Sequence, residues 1–311
     1  MLFGDDLVVV RGGGDLATGT VFRLRRAGFP ILVLELERPL AIRRTVAVAS
    51  AVIEGRALIE DLDAILIEDI EEALEVAKSG AIPVMVSPSL LQLPWEPSVV
   101  VDARLAKQNL DTSIHDAPLV VGLGPGFTAG VDCHAVIETM RGHFLGRVIW
   151  EGSPTPNTGE PGIVGGKTVE RVVRAPTFGI LNWKVAIGDL VAAGDVLGDI
   201  NGVPVRSRIG GVVRGLLAPR YEVEWDWKIA DIDPRGDTSA CFEISDKALA
   251  SISAVIATIS AWKLPPDNIS SLSVNTRGLS DTPLASTTKV CAAKRICCKQ
   301  APITCGWHRK E

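Results

Sequence analysis

The sequence lacks the features that mark exported, membrane-bound and nucleic-acid-binding proteins. Its first ten residues, MLFGDDLVVV, carry two acids where a signal peptide needs positive charge. The longest polar-poor stretch, ALASISAVIATISAW at 248–262, is shorter than the ~20 residues that span a bilayer. A formal net charge of −5 argues against a protein that mainly binds a nucleic-acid backbone. We therefore expect a cytoplasmic protein with no nucleic-acid partner and no membrane partner.

The cysteines lack the spacing of a structural metal site. Cys133 and Cys241 lie in the body of the chain, and the other four crowd its end in the pattern C-x5-C-C-x6-C. This pattern contains no C-x2-C pair of the kind that holds structural zinc. Because a cytosolic protein keeps such thiols reduced, we predict neither disulfides nor a metal site.

Short apolar runs alternate with helical patterns over residues 1–168. Runs rich in Val, Ile and Leu are typical of strands buried on both faces of a parallel sheet, and they predict strands at 7–11, 31–36, 82–86, 98–102, 118–122 and 146–150. Helices are predicted at 15–27, 70–79 and 132–141, and short strands or a hairpin at 45–68. The alternation predicts a Rossmann-like α/β domain with an open parallel sheet.

An internal repeat predicts a second, all-β domain over 169–236. Residues 175–200 align with residues 207–232 at an offset of 32, and the turn Asn201-Gly202 joins the two copies. The result is a small barrel that resembles the biotinyl/lipoyl-like barrel-sandwich fold. Members of that fold carry a modifiable lysine on the hairpin between their halves. The hairpin here, INGVPVR at 200–206, has no lysine, so we expect no biotin or lipoyl group.

The second repeat copy and the end of the chain depart from the pattern before them. At the offset of 32, Gly188 corresponds to Arg220 and Gly194 to Asp226, so the second copy lacks two turn glycines. From about residue 250 the sequence is rich in Ser, Thr and Cys without a sustained period. We predict an atypical C-terminal segment at 237–311, poorly ordered after about 255, and either disordered or translated out of frame.

A glycine-rich turn follows the first predicted strand. In VRGGGDLATG, Gly12, Gly14 and Ala17 match the dinucleotide fingerprint G-x-G-x-x-G/A, which places backbone N–H groups near a phosphate at a helix N-terminus. Glu35 ends the next strand a little over twenty residues on, where a carboxylate can accept ribose hydroxyls. Asp15 favours the helix as its N-cap but repels a pyrophosphate. The predicted cofactor-binding residues here are Gly12, Gly13, Gly14, Asp15 and Glu35.

A second glycine-rich turn, GLGPGF, follows the strand at 118–122. Pro125 removes one N–H group that a phosphate would need, and Phe127 replaces the last small residue of the fingerprint. This turn therefore either binds a different ligand group or serves packing. Its predicted cofactor-binding residues are Gly122, Gly124 and Gly126.

Asp132, Cys133 and His134 open the helix predicted at 132–141. At a helix N-terminus Asp132 is a natural cap and the thiol pKa of Cys133 is lowered. His134 faces Glu138 at i+4, which makes an orienting pair. Catalytic roles are therefore predicted for His134 and Cys133, against the alternative that Cys133 is a small buried core residue.

Polar side chains also follow the ends of other predicted strands, where an open α/β sheet binds its ligands. Arg104 and Lys107 are suited to phosphate oxygens, with solvated surface charge as the alternative for each. The predicted cofactor-binding residues of this group are Arg44, Asp102, Arg104 and Lys107.

Five segments together resemble the YqeB-type family, known as selenium-dependent molybdenum hydroxylase system proteins. They are VVRGGGDLATG, LELERPLAIRRTVA, VVVDARLAKQNLDT, DAPLVVGLGPGFTAGVDCHAVIETMRGHFLGRVIW and DIDPRGD…CFEISDKALA. The resemblance covers about residues 5–250, and 117–150 is its most specific part. The segment RYEVEWDW and everything after residue 250 depart from it.

The resemblance implies an accessory or maturation role for a selenium-dependent molybdenum hydroxylase. Its implied ligand is a molybdenum cofactor, possibly a pterin dinucleotide, a nucleotide, or a labile selenium species. Its implied partners are the hydroxylase apoenzyme or that enzyme's other accessory proteins. Two phosphate-compatible turns near basic residues agree with a small phosphorylated ligand.

Two other functions stay open from the residues alone. One is an NAD(P)-dependent oxidoreductase with Glu35 on the ribose and His134 as acid–base, although no Tyr/Lys or Lys/His reduction pair is evident. The other is a non-catalytic docking scaffold. For the accessory role we expect the two turns to line one cleft, with Arg104 and Lys107 on the ligand's phosphates and His134 nearest its reactive end.

Overall fold

A large open sheet organises the first half of the protein. The structure, a computed structural model, describes residues 3, 4 and 6–263. The first nine strands in this described part are β1 (Val8–Arg11), β2 (Ile31–Glu35), β3 (Arg56–Ile59), β4 (Leu62–Ile67), β5 (Ile82–Val86), β6 (Val99–Asp102), β7 (Leu119–Leu123), β8 (Ala135–Ile137) and β9 (Val148–Ile149). They pair in the order β3-β4-β5-β2-β1-β6-β7-β8-β9. Only the outermost pairs, β3 with β4 and β8 with β9, are antiparallel among these strands.

Helices cover both faces of this sheet, because its central strands are apolar on both sides. The described helices are α1 (Asp15–Ala27), α2 (Ser50–Glu54), α3 (Ala73–Ser79) and α4 (Asp246–Lys263). On one face Val8 and Val10 of β1 share a core with α1 and α4. On the other face Val9 packs in a core that includes Ala73 of α3. The protein is thus mixed α/β, with parallel and antiparallel pairs in one large sheet.

Most of the predicted elements are present within a residue or two of their predicted bounds. Helix α1 has the predicted limits, because Gly14 precedes it in an extended conformation and Gly28 ends it in the left-handed region. The pattern at 70–79 begins as a 3₁₀ turn at Ile70–Glu72 and continues as α3. The segment 45–68 contains the expected hairpin, β3 with β4, after a 3₁₀ turn at Arg44–Val46 and α2.

The helix predicted at 132–141 is wrong. Residues Ala135–Ile137 instead form β8, which runs parallel to β7 and is buried along its whole length. The segment AVI is a short apolar run with two β-branched residues, which periodicity alone cannot separate from a buried helix. Pairing with β7 decides the outcome. The second glycine-rich turn therefore connects two strands and precedes no helix.

The internal repeat is visible strand by strand. Eight short strands form two four-stranded antiparallel sheets in the described chain, ordered β10-β17-β15-β12 and β14-β13-β11-β16. They are β10 (Val172–Arg174), β11 (Gly179–Trp183), β12 (Leu190–Val191), β13 (Val196–Ile200), β14 (Val203–Arg206), β15 (Gly211–Leu216), β16 (Glu222–Val223) and β17 (Lys228–Asp233). Strands β11, β12 and β13 begin 32 residues before β15, β16 and β17, the offset found in the sequence.

The segment after β17 packs more closely than the sequence predicts. A 3₁₀ turn at Ser239–Cys241 leads into α4, whose residues Val255 and Ile259 lie in the core of the large sheet. The expectation of poor packing after about 255 is therefore wrong for this helix. Residues 264–311, the rest of the segment predicted to be disordered or out of frame, lie outside the described part together with its four cysteines. The domain limits at 168 and 236 remain predictions.

The second repeat copy keeps two turn conformations of the first copy, although other residues replace the glycines that form them there. Gly188 and Gly194 have φ of 102° and 94°, and their counterparts Arg220 and Asp226 keep positive φ values of 62° and 65°. A side chain in the left-handed region costs about 1–2 kcal/mol. The second copy therefore retains the turn shape of the first at a cost in backbone strain.

Replacing Arg220 with glycine should stabilise the protein. We expect Arg220→Gly to raise the free energy of unfolding by about 0.5–1 kcal/mol, because relief of the positive φ exceeds the extra entropy of glycine in the unfolded chain. Urea denaturation measures the change. Arg220→Ala removes the same side chain and keeps the strain, so it should give no such gain. Equal stabilisation by both variants would contradict the backbone explanation.

Candidate functional site

A large cleft opens at the carboxyl edge of the parallel strands. Its volume is about 1280 Å³, and Gly12 and Gly14 of the first glycine-rich turn line it together with Glu35 at the end of β2. Arg214 of β15 and Lys228 of β17 line it as well. The site therefore draws on both the large sheet and the second repeat copy, all within the compact unit Met1–Trp262.

Basic side chains outnumber acidic ones in this cleft, although the whole chain has a net charge of −5. The acidic residues that line it are Asp15, Glu35, Glu138, Glu160 and Asp231. The basic residues that line it are Arg11, Arg43, Arg104, Arg141, Arg171, Arg214, Lys228 and Lys247. A cleft lined by an excess of one charge concentrates ligands of the opposite charge.

The first glycine-rich turn is shaped by close backbone contacts. Gly12 has a φ of 91°, and a Cβ atom on Gly13 would lie 2.8 Å from the backbone nitrogen of Ala49. The Gly13 N–H donates to Glu35 Oε2 at 2.6 Å, and the Leu36 N–H donates to Oε1 at 2.7 Å. Burial raises the pKa of Glu35 despite these two bonds. Glu35 thus fixes the turn and leaves one fewer N–H for a ligand.

The N-terminus of α1 faces the cleft without a side-chain cap. The prediction of Asp15 as N-cap is wrong: Gly14 is the N-cap residue, and no side chain accepts a hydrogen bond from the first turn at that position. The first N–H groups of a helix have no intrahelical acceptor, and they carry partial positive charge. Asp15 turns its carboxylate toward Arg43, with Arg43 Nη1 3.3 Å from Asp15 Oδ2. The end of α1 therefore has the partial charge and the unpaired N–H groups that suit an anion.

Arg43, which lies beside this helix end, and Arg214 are buried cations with incomplete hydrogen bonding. Each is 8% exposed, and the Nε atom of each is buried without a hydrogen-bond partner in the described structure. Arg43 donates through Nη2 to the carbonyl oxygens of Ala240 and Glu243, at 3.1 and 3.2 Å. Burial, and then the charge of Arg43, lower the pKa of Arg214. Such unpaired buried donors are costly in the absence of a ligand.

Arg104, predicted to bind phosphate, is held in a network of carboxylates. Its Nη2 lies 2.6 Å from Asp102 Oδ2 and 2.7 Å from Asp111 Oδ1. Arg11 adds a two-oxygen contact to Asp111, while Thr112 donates to Asp102 at 2.5 Å. Burial acts to raise the pKa of Asp111, but the two guanidinium groups lower it overall. Asp102 is fully buried and positions Arg104, which lines the cleft with little free charge.

The second glycine-rich turn serves packing more than ligand contact. A Cβ on Gly122 would lie 2.6 Å from the Phe127 ring, and one on Gly126 would lie 2.5 Å from the backbone of Gln108. Gly124 donates its N–H to the carbonyl of Ile137 in β8. The neighbouring Pro125 lines the cleft. The two turns thus lie along one edge of the sheet, but the second offers no helix N-terminus.

The predicted catalytic roles of Cys133 and His134 depend on a helix N-terminus, and the structure has no helix at this position. Cys133 is fully buried, and its pKa is raised to about 12, first of all by burial. His134 precedes β8, and its Nδ1 accepts the Val120 N–H at 2.9 Å. Burial also lowers the pKa of His134. Neither residue lines the cleft, and Glu138 bonds to the backbone of 140 and 155 instead of orienting His134.

Two other predicted residues lie away from the cleft. Lys107 is exposed and outside the cleft lining. Arg44 donates Nε to the carbonyl of Leu216 at 2.8 Å and lines a separate, smaller pocket. Arg214, Lys228 and Lys247 are not among the site residues predicted from the sequence. A comparison of the two repeat copies could have revealed Arg214 and Lys228, because the first copy has neutral residues at both positions.

Glu138 should make the protein sensitive to acid. Burial acts to raise its pKa, but hydrogen bonds from Thr155, Met140 and Thr139 lower it below the ordinary 4.5. This stabilisation is present above the unfolded-state pKa and is lost as the pH falls through the lower folded-state pKa. We expect Glu138→Gln to lower the free energy of unfolding by about 1.5–3 kcal/mol at pH 7. Urea denaturation should show the difference from wild type shrinking below pH 4.5; a difference independent of pH would contradict this account.

Cys133 should resist alkylation in the folded protein. Its burial and its raised pKa leave almost no accessible thiolate at neutral pH. We expect iodoacetamide to leave the Cys133 peptide unmodified until urea unfolds the protein, as measured by peptide mass spectrometry. Rapid modification of native Cys133 would restore the hypothesis of a reactive thiol.

In the part of the chain that the structure describes, no helix combines the length and apolar character needed to cross a membrane. Within the same residues, no three His, Cys, Asp or Glu side chains are grouped so that they could hold a metal ion.

The solved structures that were matched to this chain resemble it only weakly. They include the ectoine utilization protein EutE from Ruegeria pomeroyi, at 13% identity and a TM-score of 0.21, over 73% of this chain and 57% of that chain. An aspartoacylase family protein from Mesorhizobium loti gives 14% identity and a TM-score of 0.25, over 73% and 84% of the two chains. A succinylglutamate desuccinylase/aspartoacylase from Rhodobacter sphaeroides gives 15% identity and a TM-score of 0.23, over 73% of this chain and 85% of that chain. Similarity at this level does not establish a shared fold or function.

Sequence comparison gives a closer relation. No family model matches the chain. Over 248 residues the chain is 50% identical to a protein of Escherichia coli (strain K12) named uncharacterized protein YqeB, an alignment that covers 79% of this chain and 46% of that protein. The chain therefore spans about half the length of this curated relative.

Proposed function

We propose that the protein binds a phosphorylated small molecule in the cleft, with a phosphate group at the N-terminus of α1. The observation that carries this proposal is the buried guanidinium of Arg43, whose Nε has no partner beside an uncapped helix end. A phosphate there accepts hydrogen bonds from the first-turn N–H groups and from a guanidinium donor. The first-turn N–H groups and the incompletely neutralised charge of Arg43 then both face an anion.

The electrostatics of the cleft support an anionic ligand. Desolvation by the surrounding walls of the cleft lowers the pKa of Lys228 and of Lys247, although Asp15 acts on both in the opposite direction. A bound phosphate would favour the charged forms of these amines. An anion would also relieve the repulsion between Arg43 and Arg214. An acidic protein that concentrates cations in one cleft is thereby suited to capture a phosphorylated ligand.

We propose, on the resemblance to YqeB-type proteins, that this ligand is a molybdenum cofactor, possibly a pterin dinucleotide, or a nucleotide. The protein would then act in the cytoplasm as an accessory or maturation factor for a selenium-dependent molybdenum hydroxylase. Its partners would be the apoenzyme or that enzyme's other accessory proteins. The α1 N-terminus and Arg43 fit the phosphate part of either ligand.

The finer architecture is part of the proposal. The order of β2, β1, β6 and β7 as neighbouring parallel strands supports a Rossmann-like large sheet. The two four-stranded sheets with their 32-residue repeat support a biotinyl/lipoyl-like barrel. The missing hairpin lysine argues against a biotin or lipoyl group on it.

An NAD(P)-dependent oxidoreductase has less support. Both carboxylate oxygens of Glu35 already accept backbone N–H groups, so Glu35 is a poor acceptor for ribose hydroxyls. His134, the proposed acid–base, does not line the cleft. A purely structural scaffold is also less favoured, because it gives no reason for two unpaired buried guanidinium donors.

The variant Gly14→Asp should separate ligand binding from folding. Gly14 has an extended backbone, and no atom lies within 4 Å of an added Cβ. An aspartate at this N-cap would occupy the first-turn N–H groups and stabilise the helix by roughly a few tenths of a kcal/mol relative to glycine. We expect at least a tenfold weaker affinity for inorganic phosphate and pyrophosphate by isothermal titration calorimetry, with an unchanged or higher Tm.

Gly14→Ala is the matched control, since it fills the same space without a carboxylate. It should bind phosphate as the wild type does. Native mass spectrometry of the purified wild type, run alongside, identifies a co-purifying nucleotide or pterin. Absence of phosphate and pyrophosphate binding in the wild type, or equal binding by Gly14→Asp, would overturn the proposal.

A further inference from the structure

The two repeat copies differ where the second one meets the cleft. At the offset of 32, Arg214 of β15 corresponds to Asn182 of β11, and Lys228 of β17 corresponds to Val196 of β13. The first copy thus has neutral residues where the second has two cations that line the cleft. Two cations present at matched positions in one copy alone need an explanation beyond the shared β unit.

The backbone of the second copy is also altered at Arg214. In the first copy the pairing of β11 with β13 is continuous, from Leu181 opposite Ile200 to Trp183 opposite Gly198. In the second copy the pairing of β15 with β17 shifts register between Val213 and Gly215. Arg214 therefore occupies a β-bulge that the first copy does not have. A bulge redirects a side chain, and bulges are common next to active sites.

The partners of Arg214 leave part of its guanidinium available. Nη1 lies 3.6 Å from Asp233 Oδ2, and the same carboxylate is held by Arg235 at 2.6 Å. The Nε atom is buried without a partner in the described structure. The neighbouring Asp231 is engaged by Arg171. The carboxylates around Arg214 are thus shared with other cations, and its positive charge is incompletely neutralised.

Lys228 adds a second positive charge that is incompletely neutralised. Its side chain is open to the cleft, and among the described residues it forms no hydrogen bond or ion pair with another side chain. Asp231, the carboxylate with the strongest electrostatic influence on it, is the one that Arg171 already engages. Arg214 and Lys228 therefore add cationic donors to those that Arg43 and the α1 N-terminus offer in the cleft.

We infer that Arg214 and Lys228 form a second anion subsite beside the one at α1, so that the cleft binds a pyrophosphate group. This inference rests on the proposed function. The first phosphate lies at α1 and Arg43, and the second lies against the second repeat copy. The ligand class is a nucleoside diphosphate or a dinucleotide, whose two linked phosphates match two cationic subsites. The second repeat copy is then a binding element as well as a structural one.

The test compares pyrophosphate with inorganic phosphate by isothermal titration calorimetry on the full chain. The variants Arg214→Asn and Lys228→Val restore the residues of the first copy. We expect the wild type to prefer pyrophosphate at least tenfold, since removing one charge-assisted hydrogen bond weakens binding by about ten- to a hundredfold. Each variant should abolish most of that preference while its affinity for phosphate changes by less than about threefold. Arg208→Asn, at an exposed position outside the cleft lining, is the control and should keep the preference.

The outcomes separate this inference from the function on which it rests. If the wild type binds phosphate and pyrophosphate equally, or if both variants keep the preference, the second subsite is wrong and the first one stands. If neither anion binds the wild type, the proposed function itself is overturned. Lys228 is exposed, so Lys228→Val remains informative even if Arg214→Asn, at a buried position, lowers the Tm.

Discussion

The guanidinium of Arg43 is the group on which the candidate site depends. It lies between Asp15 at the start of α1 and the carbonyl oxygens of Ala240 and Glu243, just before α4. It also lies close enough to Arg214 for the two charges to oppose each other. A buried cation requires compensation, and here the one carboxylate and two carbonyl oxygens leave Nε without a partner. Three separate parts of the chain are thereby arranged around an incompletely satisfied positive charge.

The first glycine-rich turn, beside Arg43, is also tightly constrained. These constraints explain why its sequence resembles a nucleotide-binding motif although one of its N–H groups is not available to a ligand. Gly13 must be glycine because the backbone at Ala49 approaches it. The Gly13 N–H, which a dinucleotide fingerprint would direct toward a ligand, instead donates to Glu35. The acidic residue expected to contact a ribose therefore stabilises the turn. What remains for a ligand is the helix end itself.

The sequence predicted those elements whose limits depend on local chemistry. Helix α1 begins after Gly14 and ends at the left-handed Gly28, and both limits follow from residue types within the helix and its caps. The sequence failed at Ala135–Ile137, because three apolar residues form a strand only when β7 and β9 are available to pair with them. Cys133 and His134 were misplaced for the same reason. Their predicted roles depended on a helix N-terminus that tertiary pairing replaced.

The site residues that the sequence did not identify depend on long-range contacts. Arg214 reaches the cleft from a bulged part of β15, and β15 contacts the 3₁₀ turns at Arg44–Val46 and Ser239–Cys241. Neither the bulge nor these contacts can be inferred from the residues around 214. The repeat carries indirect information, since a copy that keeps its strand positions but differs in charge is under a constraint that its partner lacks. In the second copy the turn shapes at Arg220 and Asp226 are retained despite their cost, so the fold of the β unit has been preserved. Of the positions at which the second copy carries a charge and the first does not, Arg214 and Lys228 are the ones that line the cleft. This pattern is expected when one copy of a duplicated unit binds a ligand and the other supports it.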